Sequence, residues 1–208
     1  MTTRAMRRYT DRPVSDDDIE TCLRAAQQAP SGGNVQPQHY LVVTEPELRA
    51  EVSEWYRRAF DRYEASLPER EFTDERVADM WRRTRAASRH LADHLVDAPV
   101  LVLFLQPLIP WGSEDADGPL DIGRLDASVY PAVQNFCVAA RALGLGTTLT
   151  TVVRVYGSDV LAALGVPPDR FEIAALVPVG HPAGTFGIAP RRPAAAATHW
   201  NRWGERRG

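Results

Sequence analysis

Arginines near the two ends of the chain could bind a phosphate group. Four of them stand at positions 4, 7, 8 and 12, and two more at positions 191 and 192. A guanidinium group binds phosphate through two parallel N–H donors and stays charged at physiological pH. The two clusters therefore indicate an anionic ligand, and an ordinary solvent-exposed surface is the alternative interpretation.

The loop at residues 29–38 has the residue types needed to recognise a flat polar ligand. In the turn Ser31-Gly32-Gly33, two residues lack a Cβ atom, so the backbone can approach a ligand closely. Asn34 and Gln36 follow, and each side-chain amide offers a donor and an acceptor. Such amides suit the imide edge of a heterocycle, and a loop without a binding role is the alternative.

The basic residues are all arginines. The 208-residue chain has 24 of them and no lysine, which excludes a Schiff base on lysine and a P-loop. Against 27 acidic residues the formal net charge is −3, and this balance argues against a nucleic-acid-binding protein. A fixed positive charge in any site must come from arginine, histidine or the backbone.

Common catalytic and metal-binding patterns are missing. There is no GxSxG, HExxH, CxxC or GxGxxG motif, and Cys22 and Cys137 alone cannot build a disulfide framework or a four-ligand zinc site. His90 and His94 have the spacing of a metal pair, but no third ligand is evident beside them. We expect no metal, and a solvated helix face at these histidines.

Hydrophobic segments are short. The longest apolar run, residues 100–105, is far below the roughly 20 residues of a membrane helix. The first 14 residues lack the apolar core of a secretory signal. We therefore expect a protein of the cytoplasm that does not enter a membrane.

Helix and strand signals alternate along the chain. Ser15 is suited to cap a helix that stops before Pro30, and residues 39–43 have the character of a strand. Residues 44–47 predict a capping box for a second helix, and Thr73 precedes a third. Further predicted elements are a buried strand at 98–105, a long loop at 106–124 containing Trp111, a helix at 126–143, strands at 147–153 and 171–179, and a short helix at 158–164.

This alternation indicates one sheet with helices, in an α+β or α/β arrangement. No repeat or linker interrupts it, so we expect one domain over residues 1–208. Trp200 and Trp203 are large apolar side chains in an otherwise polar tail, and they need a surface to pack against. That surface is either the same domain or a partner subunit.

Five segments, taken in order, resemble the nitroreductase family of FMN-dependent flavoproteins. They are RAMRRYTDRPV at 4–14, APSGGNVQPQ at 29–38, QNFCVAARALGLGT at 134–147, PVGHP at 178–182, and RRP with HWNRWG at 191–204. The resemblance implies an α+β fold with a central, mainly antiparallel sheet flanked by helices. It also implies an intertwined homodimer with two FMN sites at the interface, the helix at 126–143 in the dimer core, and a C-terminal arm, about 185–208, reaching the partner.

The resemblance also implies roles for single residues. Arg4 and Arg191 would bind the FMN phosphate, and Arg7 would lie near the flavin N1 atom and C2 carbonyl. A loop from the neighbouring subunit would lie along the ring, and Thr150 and Thr151 would pass near N5, where a backbone N–H favours hydride uptake. The expected cofactor-binding residues are Arg4, Ala5, Arg7, Pro30, Ser31, Asn34, Gln36, Leu149, Thr150, Thr151 and Arg191.

No side chain is needed as a general acid or base, because the flavin carries the chemistry. The implied reaction is ping-pong transfer from NADH or NADPH to a small acceptor such as a nitroaromatic or a quinone. Ala5 stands where the family motif has serine, and Gln38 where it has tryptophan. The alternatives are a relative with specialised chemistry (dehalogenation, flavin fragmentation or dehydrogenation), a flavin-storage protein, and a deazaflavin in place of FMN.

Overall fold

A four-stranded antiparallel sheet carries helices on both faces in the computed structural model, which describes residues 2–110 and 112–207. Trp111 lies outside the described residues. The helices are α1 (Asp16–Gln27), α2 (Pro46–Ala65), α3 (Glu75–Asp93), α4 (Asp126–Ala142) and α5 (Gly157–Ala163). The strands are β1 (His39–Val43), β2 (Val100–Pro107), β3 (Ser113–Asp115), β4 (Gly118–Leu120), β5 (Gly146–Thr147) and β6 (Phe171–Gly180).

The sheet has the strand order β1-β2-β6-β5, and every neighbouring pair is antiparallel. Successive side chains of a strand point to opposite faces, so β2 contributes to two cores. Val102 and Phe104 pack with α1 and α4, whereas Leu101 and Leu103 pack with α2, α5 and the chain after α3. The predicted α+β fold with a mainly antiparallel sheet is confirmed.

The helix starts follow local capping chemistry. Ser15 Oγ accepts a hydrogen bond from the Asp18 N–H at 3.2 Å, as predicted for the start of α1. The capping box predicted at 44–47 is wrong, because α2 begins after Glu45 without a side-chain cap. The third helix begins one residue later than predicted, since Asp74, not Thr73, caps the Arg76 N–H.

The segment after α4 differs most from the sequence prediction. Only Gly146–Thr147 is a strand, and the strand predicted over 147–153 is wrong beyond that point. Thr150 makes one isolated bridge to Leu176, and a 3-10 helix follows at Val152–Tyr156. The predicted 106–124 loop likewise contains the last residues of β2 and the β3–β4 hairpin.

One face of helix α4 is buried within the protomer. Its residues Val129, Val133, Phe136 and Ala140 are fully buried in the core shared with α1 and the sheet. Val138, on another face, is 49% exposed, and the position of this helix in a dimer core stays a prediction. Among the described residues, no helix combines the length and apolar character needed to cross a bilayer.

Candidate active site

A cavity of about 160 Å³ lies at the β5 edge of the sheet, and we call it the Arg7 cavity. The N-terminal segment, the chain at 148–152 and helices α2 and α3 enclose it. Its lining residues are Arg7, Tyr56, Phe60, Tyr63, Ser88, Leu91, Thr148, Leu149, Thr150 and Val152. Three of the predicted cofactor residues, Arg7, Leu149 and Thr150, thus come together here.

Hydrogen bonds to distant parts of the chain fix the N-terminal segment. The Met6 N–H donates to Thr147 O at 2.9 Å, Thr148 Oγ1 donates back to Met6 O at 2.5 Å, and the Thr10 N–H donates to His181 O at 2.9 Å. A Cβ atom at Gly146 would lie 2.9 Å from Met6 Cβ, so this close approach requires glycine. This explains the final glycine of the GLGT sequence.

Arg7 brings a half-buried positive charge to the cavity. Burial lowers the pKa of its guanidinium, and the nearby charge of Arg4 adds to this effect. No carboxylate of the described residues forms an ion pair with Arg7. An arginine stays protonated in a protein, and a buried charge normally has a partner. The cavity therefore fits a ligand that presents negative or electron-rich atoms to Arg7, as the pyrimidine edge of a flavin does.

The wall opposite Arg7 is rigid at Thr150. Its N–H donates to Leu176 O, its carbonyl accepts from the Leu176 N–H, both at 2.9 Å, and its Oγ1 bonds Tyr56 OH at 3.1 Å. The Thr150 N–H is therefore taken. Thr150 and Thr151 were both predicted to pass near the flavin N5 atom. Of the two, only Thr151 has a backbone N–H without an acceptor among the described residues.

The sequence interpretation missed Tyr56. Its side chain is only 2% exposed, and burial raises the pKa of its hydroxyl. Residues 52, 56 and 60 stand four apart on α2, and that spacing was the available signal. Phe60, Tyr63 and Ser88 belonged to predicted helix faces, but nothing in the sequence pointed them toward Arg7.

A second cavity, of about 260 Å³, lies on the other side of Arg7. Its lining residues are Arg7, Arg8, Tyr9, His90, His94, Asp97 and Ala183. His90 and His94 stack with ring centroids 4.3 Å apart, and His94 Nδ1 lies 3.0 Å from Asp97 Oδ2. Burial and the charges of Arg8 and His94 lower the pKa of His90. The described residues hold no cluster of His, Cys, Asp and Glu suited to a metal ion.

A larger cavity of about 320 Å³ lies between α5 and the start of β6. Arg154 and Glu172 lie in its wall and form an ion pair at 2.8 Å, and Glu172 also accepts from Gln106 Nε2 at 2.7 Å. The charge there is balanced by the protein itself, in contrast to Arg7.

The predicted loop residues lie away from the Arg7 cavity. The Gly32 N–H donates to Ser128 Oγ at 3.0 Å, so the loop packs against α4, and none of Pro30, Ser31, Asn34 and Gln36 lines the cavity. Ser31 Oγ accepts from the Gln36 N–H at 3.0 Å, and Gln36 Nε2 donates to Asn34 Oδ1 at 3.1 Å.

This loop is built from strained backbone. The φ angle is +56° at Asn34 and +45° at Gln36, in a region where side chains cost conformational energy and which is often found at binding sites. Gln38 is buried, and its Oε1 atom has no hydrogen-bond partner among the described residues.

The predicted phosphate ligands are exposed. A Cβ atom at Gly187 would lie 3.8 Å from Arg4 Nη1, so the tail passes beside Arg4. Ala5 pairs with Thr147 in an isolated bridge. Arg191 Nη1 donates only to the neighbouring Pro190 O, at 2.9 Å. Both guanidinium groups can still bind an anion.

The tail does not bury its tryptophans in the same protomer. Trp203 is 89% exposed and stacks on His199 at 4.0 Å, and Trp200 is 42% exposed beneath Arg207. An arm that packs on a partner subunit stays a prediction.

Comparisons with known proteins identify the family of this chain. The model of the nitroreductase family matches residues 1–181. An FMN reductase [NAD(P)H] of Bacillus subtilis is 27% identical, over 94% of this chain and 69% of that protein. An iodotyrosine deiodinase of Drosophila melanogaster is 29% identical, over 86% of this chain and 59% of that protein.

A solved structure supports the fold independently. An FMN-dependent nitroreductase from Mycobacterium smegmatis, in complex with NADPH, superimposes with a TM-score of 0.69 at 21% identity, over 96% of this chain and 94% of that one. The fold is that of FMN-dependent nitroreductases. The chain belongs to the nitroreductase family, and the family predicted from the five segments is confirmed.

Proposed function

We propose that this protein is an FMN-dependent oxidoreductase that takes electrons from NADH or NADPH and delivers them to a small organic acceptor such as a nitroaromatic or a quinone. The single observation that carries the proposal is the half-buried charge of Arg7, which has no carboxylate partner among the described residues and lines one cavity with Thr148, Leu149 and Thr150. Family membership and the FMN reductases among the relatives support the predicted enzyme class and cofactor.

When bound, FMN supplies reversible two-electron chemistry, so the chain needs no acid, base or nucleophile of its own. Arg7 stabilises negative charge at the pyrimidine edge and favours the reduced cofactor. Thr151 follows the lining residue Thr150 and has an N–H without an acceptor among the described residues, and the bond between Thr150 and Tyr56 holds the cavity wall in place. Phe60 and Leu91 keep water out of the cavity.

Exposed groups would bind the phosphate and complete the site. We propose that Arg4 and Arg191 bind the phosphate and that Ser31, Asn34 and Gln36 act at the partner's cavity. The position of this loop on α4, away from the protomer's own Arg7, supports a homodimer. The exposed Trp203 supports an arm that crosses to the partner. We place the protein in the cytoplasm, where NADH and NADPH are available.

Anaerobic reduction tests the proposal. The purified yellow protein is mixed with NADPH or NADH without oxygen, and the flavin absorbance is followed. Loss of the yellow colour, and its return when a nitroaromatic or a quinone is added, is the expected result. A colour that persists with both donors would instead identify a flavin-storage protein. The spectrum of the released cofactor distinguishes FMN from a deazaflavin.

One relative favours a second candidate. Similarity to an iodotyrosine deiodinase is as high as that to the FMN reductase, so reductive dehalogenation of an aromatic ring is the alternative reaction. Iodide release from an iodinated phenol by the reduced protein would support it.

A further inference from the structure

A groove between α2 and α3 adjoins the Arg7 cavity, and we call it the helix groove. Its volume is about 260 Å³. Phe60, Tyr63 and Ser88 line both spaces, so ligands in the two spaces are neighbours. The groove's lining residues are Phe60, Tyr63, Glu64, Leu67, Pro68, Arg70, Trp81, Thr84, Arg85 and Ser88.

Aromatic side chains form much of the wall. Phe60 and Tyr63 pack edge to face with ring centroids 6.0 Å apart, and Trp81 packs on Phe72 at 5.4 Å. Tyr63 is 43% exposed, which leaves part of its ring available. Aromatic rings favour stacked or edge contacts with another ring. This wall therefore suits a flat ligand.

Two arginines give the groove a positive charge. Arg85 stacks over Trp81 at 4.8 Å, and a single nitrogen of its guanidinium reaches Glu64, at 3.1 Å. Glu64 is also bound by Arg89, and both arginines lower the pKa of its carboxyl group. Arg70 forms no ion pair with any described residue.

Arg89 does not line the groove and is bound by two carboxylates besides Glu64. Asp61 and Asp93 bind Arg89 at 2.8 and 3.4 Å, so that charge is neutralised outside the groove. The groove then holds two arginines against Glu64. Arginine forks bind carboxylates through paired N–H donors, and Arg70 and Arg85 have donors left for one.

We infer that the helix groove binds the carboxylate of an aromatic acceptor whose reducible group lies beside the flavin held at the Arg7 cavity. The inference rests on the proposed function and names its substrate class: aromatic acids are preferred over neutral aromatics of the same shape. Arg70 and Arg85 act as specificity-determining residues, and the aromatic wall holds the ring between the two sites.

Matched probes test this preference. 4-Nitrobenzoate and 4-nitrobenzamide differ in charge and little in shape. Their dissociation constants for the oxidised, flavin-loaded protein are measured by calorimetry, and kcat/KM is measured for both with NADH and with NADPH. The variants are Arg70→Gln and Arg85→Gln. The control is Arg83→Gln, since Arg83 lies on α3, outside the groove, and is largely exposed.

The parent protein should bind the acid more tightly than the amide. Each groove variant should reduce that preference roughly three- to tenfold, a range set by charged hydrogen bonds in a partly solvated site. The ratio of the two kcat/KM values should fall in parallel, and Arg83→Gln should leave both ratios unchanged.

Three results would overturn the inference. One is equal affinity of the parent protein for the acid and the amide. Another is an equal change for both probes in the groove variants. The third is a loss of kcat/KM that appears with NADPH and not with NADH. The arginines would then bind the additional phosphate of NADPH. Calorimetry needs no reduction step, so a protein that binds the acid but is not bleached by NAD(P)H would refute the proposed function alone.

Discussion

Replacing Arg7 by glutamine separates the binding of the cofactor from the control of its potential. The substitution keeps a hydrogen-bond donor and removes the charge. Because no carboxylate of the described residues pairs with Arg7, its charge is available in full to a ligand in the cavity. Oxidised flavin is neutral at its pyrimidine edge, whereas the two-electron reduced form is anionic. The loss should therefore fall mainly on the reduced form.

The expected change in midpoint potential follows from the loss of a charged hydrogen bond of Arg7. A hydrogen bond from a charged donor contributes about 1.5–3 kcal/mol. For a two-electron couple, about 1.4 kcal/mol corresponds to 30 mV, so the midpoint potential should fall by about 30–65 mV. The substitution should not destabilise the apoprotein. Because it removes an unpaired, partly desolvated charge, the free energy of unfolding should not decrease.

The assay is an anaerobic redox titration of the flavin-loaded protein against a dye of known potential, combined with the dissociation constant of oxidised FMN. Arg8→Gln is the matched control, since it makes the same change one residue further on, at an exposed side chain that does not line the Arg7 cavity. Its potential should stay at the parent value. Rapid mixing with NAD(P)H should show slower flavin reduction in Arg7→Gln only.

One pattern of results would refute this reasoning. If Arg7→Gln keeps the parent potential and loses affinity for oxidised and reduced FMN equally, the guanidinium contacts the phosphate. A marked loss of apoprotein stability would show instead that Arg7 is held by the protein and is not awaiting a ligand.

Three further predictions concern the phosphate, a tight packing contact and the tail. Arg191→Ala should weaken FMN binding about tenfold or more and leave riboflavin binding unchanged in parallel titrations; equal losses would make Arg191 structural. Gly180→Ala should lower the unfolding free energy in urea by about 1–3 kcal/mol, because a Cβ would lie 2.8 Å from Pro99 Cδ, whereas Gly184→Ala, with open space around it, should not. Deleting residues 195–208 should convert a dimer into a protomer lighter than the 23.1 kDa full chain that loses FMN during sedimentation; a truncated chain that stays dimeric would contradict the arm.

Local signals predicted the elements that depend on neighbouring residues. Helix α1 follows from the cap at Ser15 and its apolar spacing, and β6 from a continuous apolar run. The run at 147–153 has the same character, but after Thr147 only Thr150 pairs with the sheet, at Leu176, and a 3-10 helix begins at Val152. The point at which the strand ends is set by tertiary pairing, which no local sequence pattern predicts.

The candidate site was likewise predicted only in part from the sequence. Motifs placed Arg7 and Thr150 in one site, and the structure brings both to one cavity. The role of Tyr56 was not predictable, because a tyrosine on a buried helix face has the same pattern whether or not it lines a cavity. The loop residues Ser31 and Gln36 were expected to act across an interface, and their separation from Arg7 within the protomer agrees with that expectation.

The way the N-terminal segment is anchored has a consequence for biosynthesis. Met6 lies 142 positions before its partner Thr148, and Thr10 waits for His181. Closing contacts of such long sequence separation costs chain entropy and slows folding. During translation the segment must therefore stay unpaired until residue 181 has left the ribosome. The wall that carries Arg7 can close only after that point, so a cofactor cannot be held there earlier.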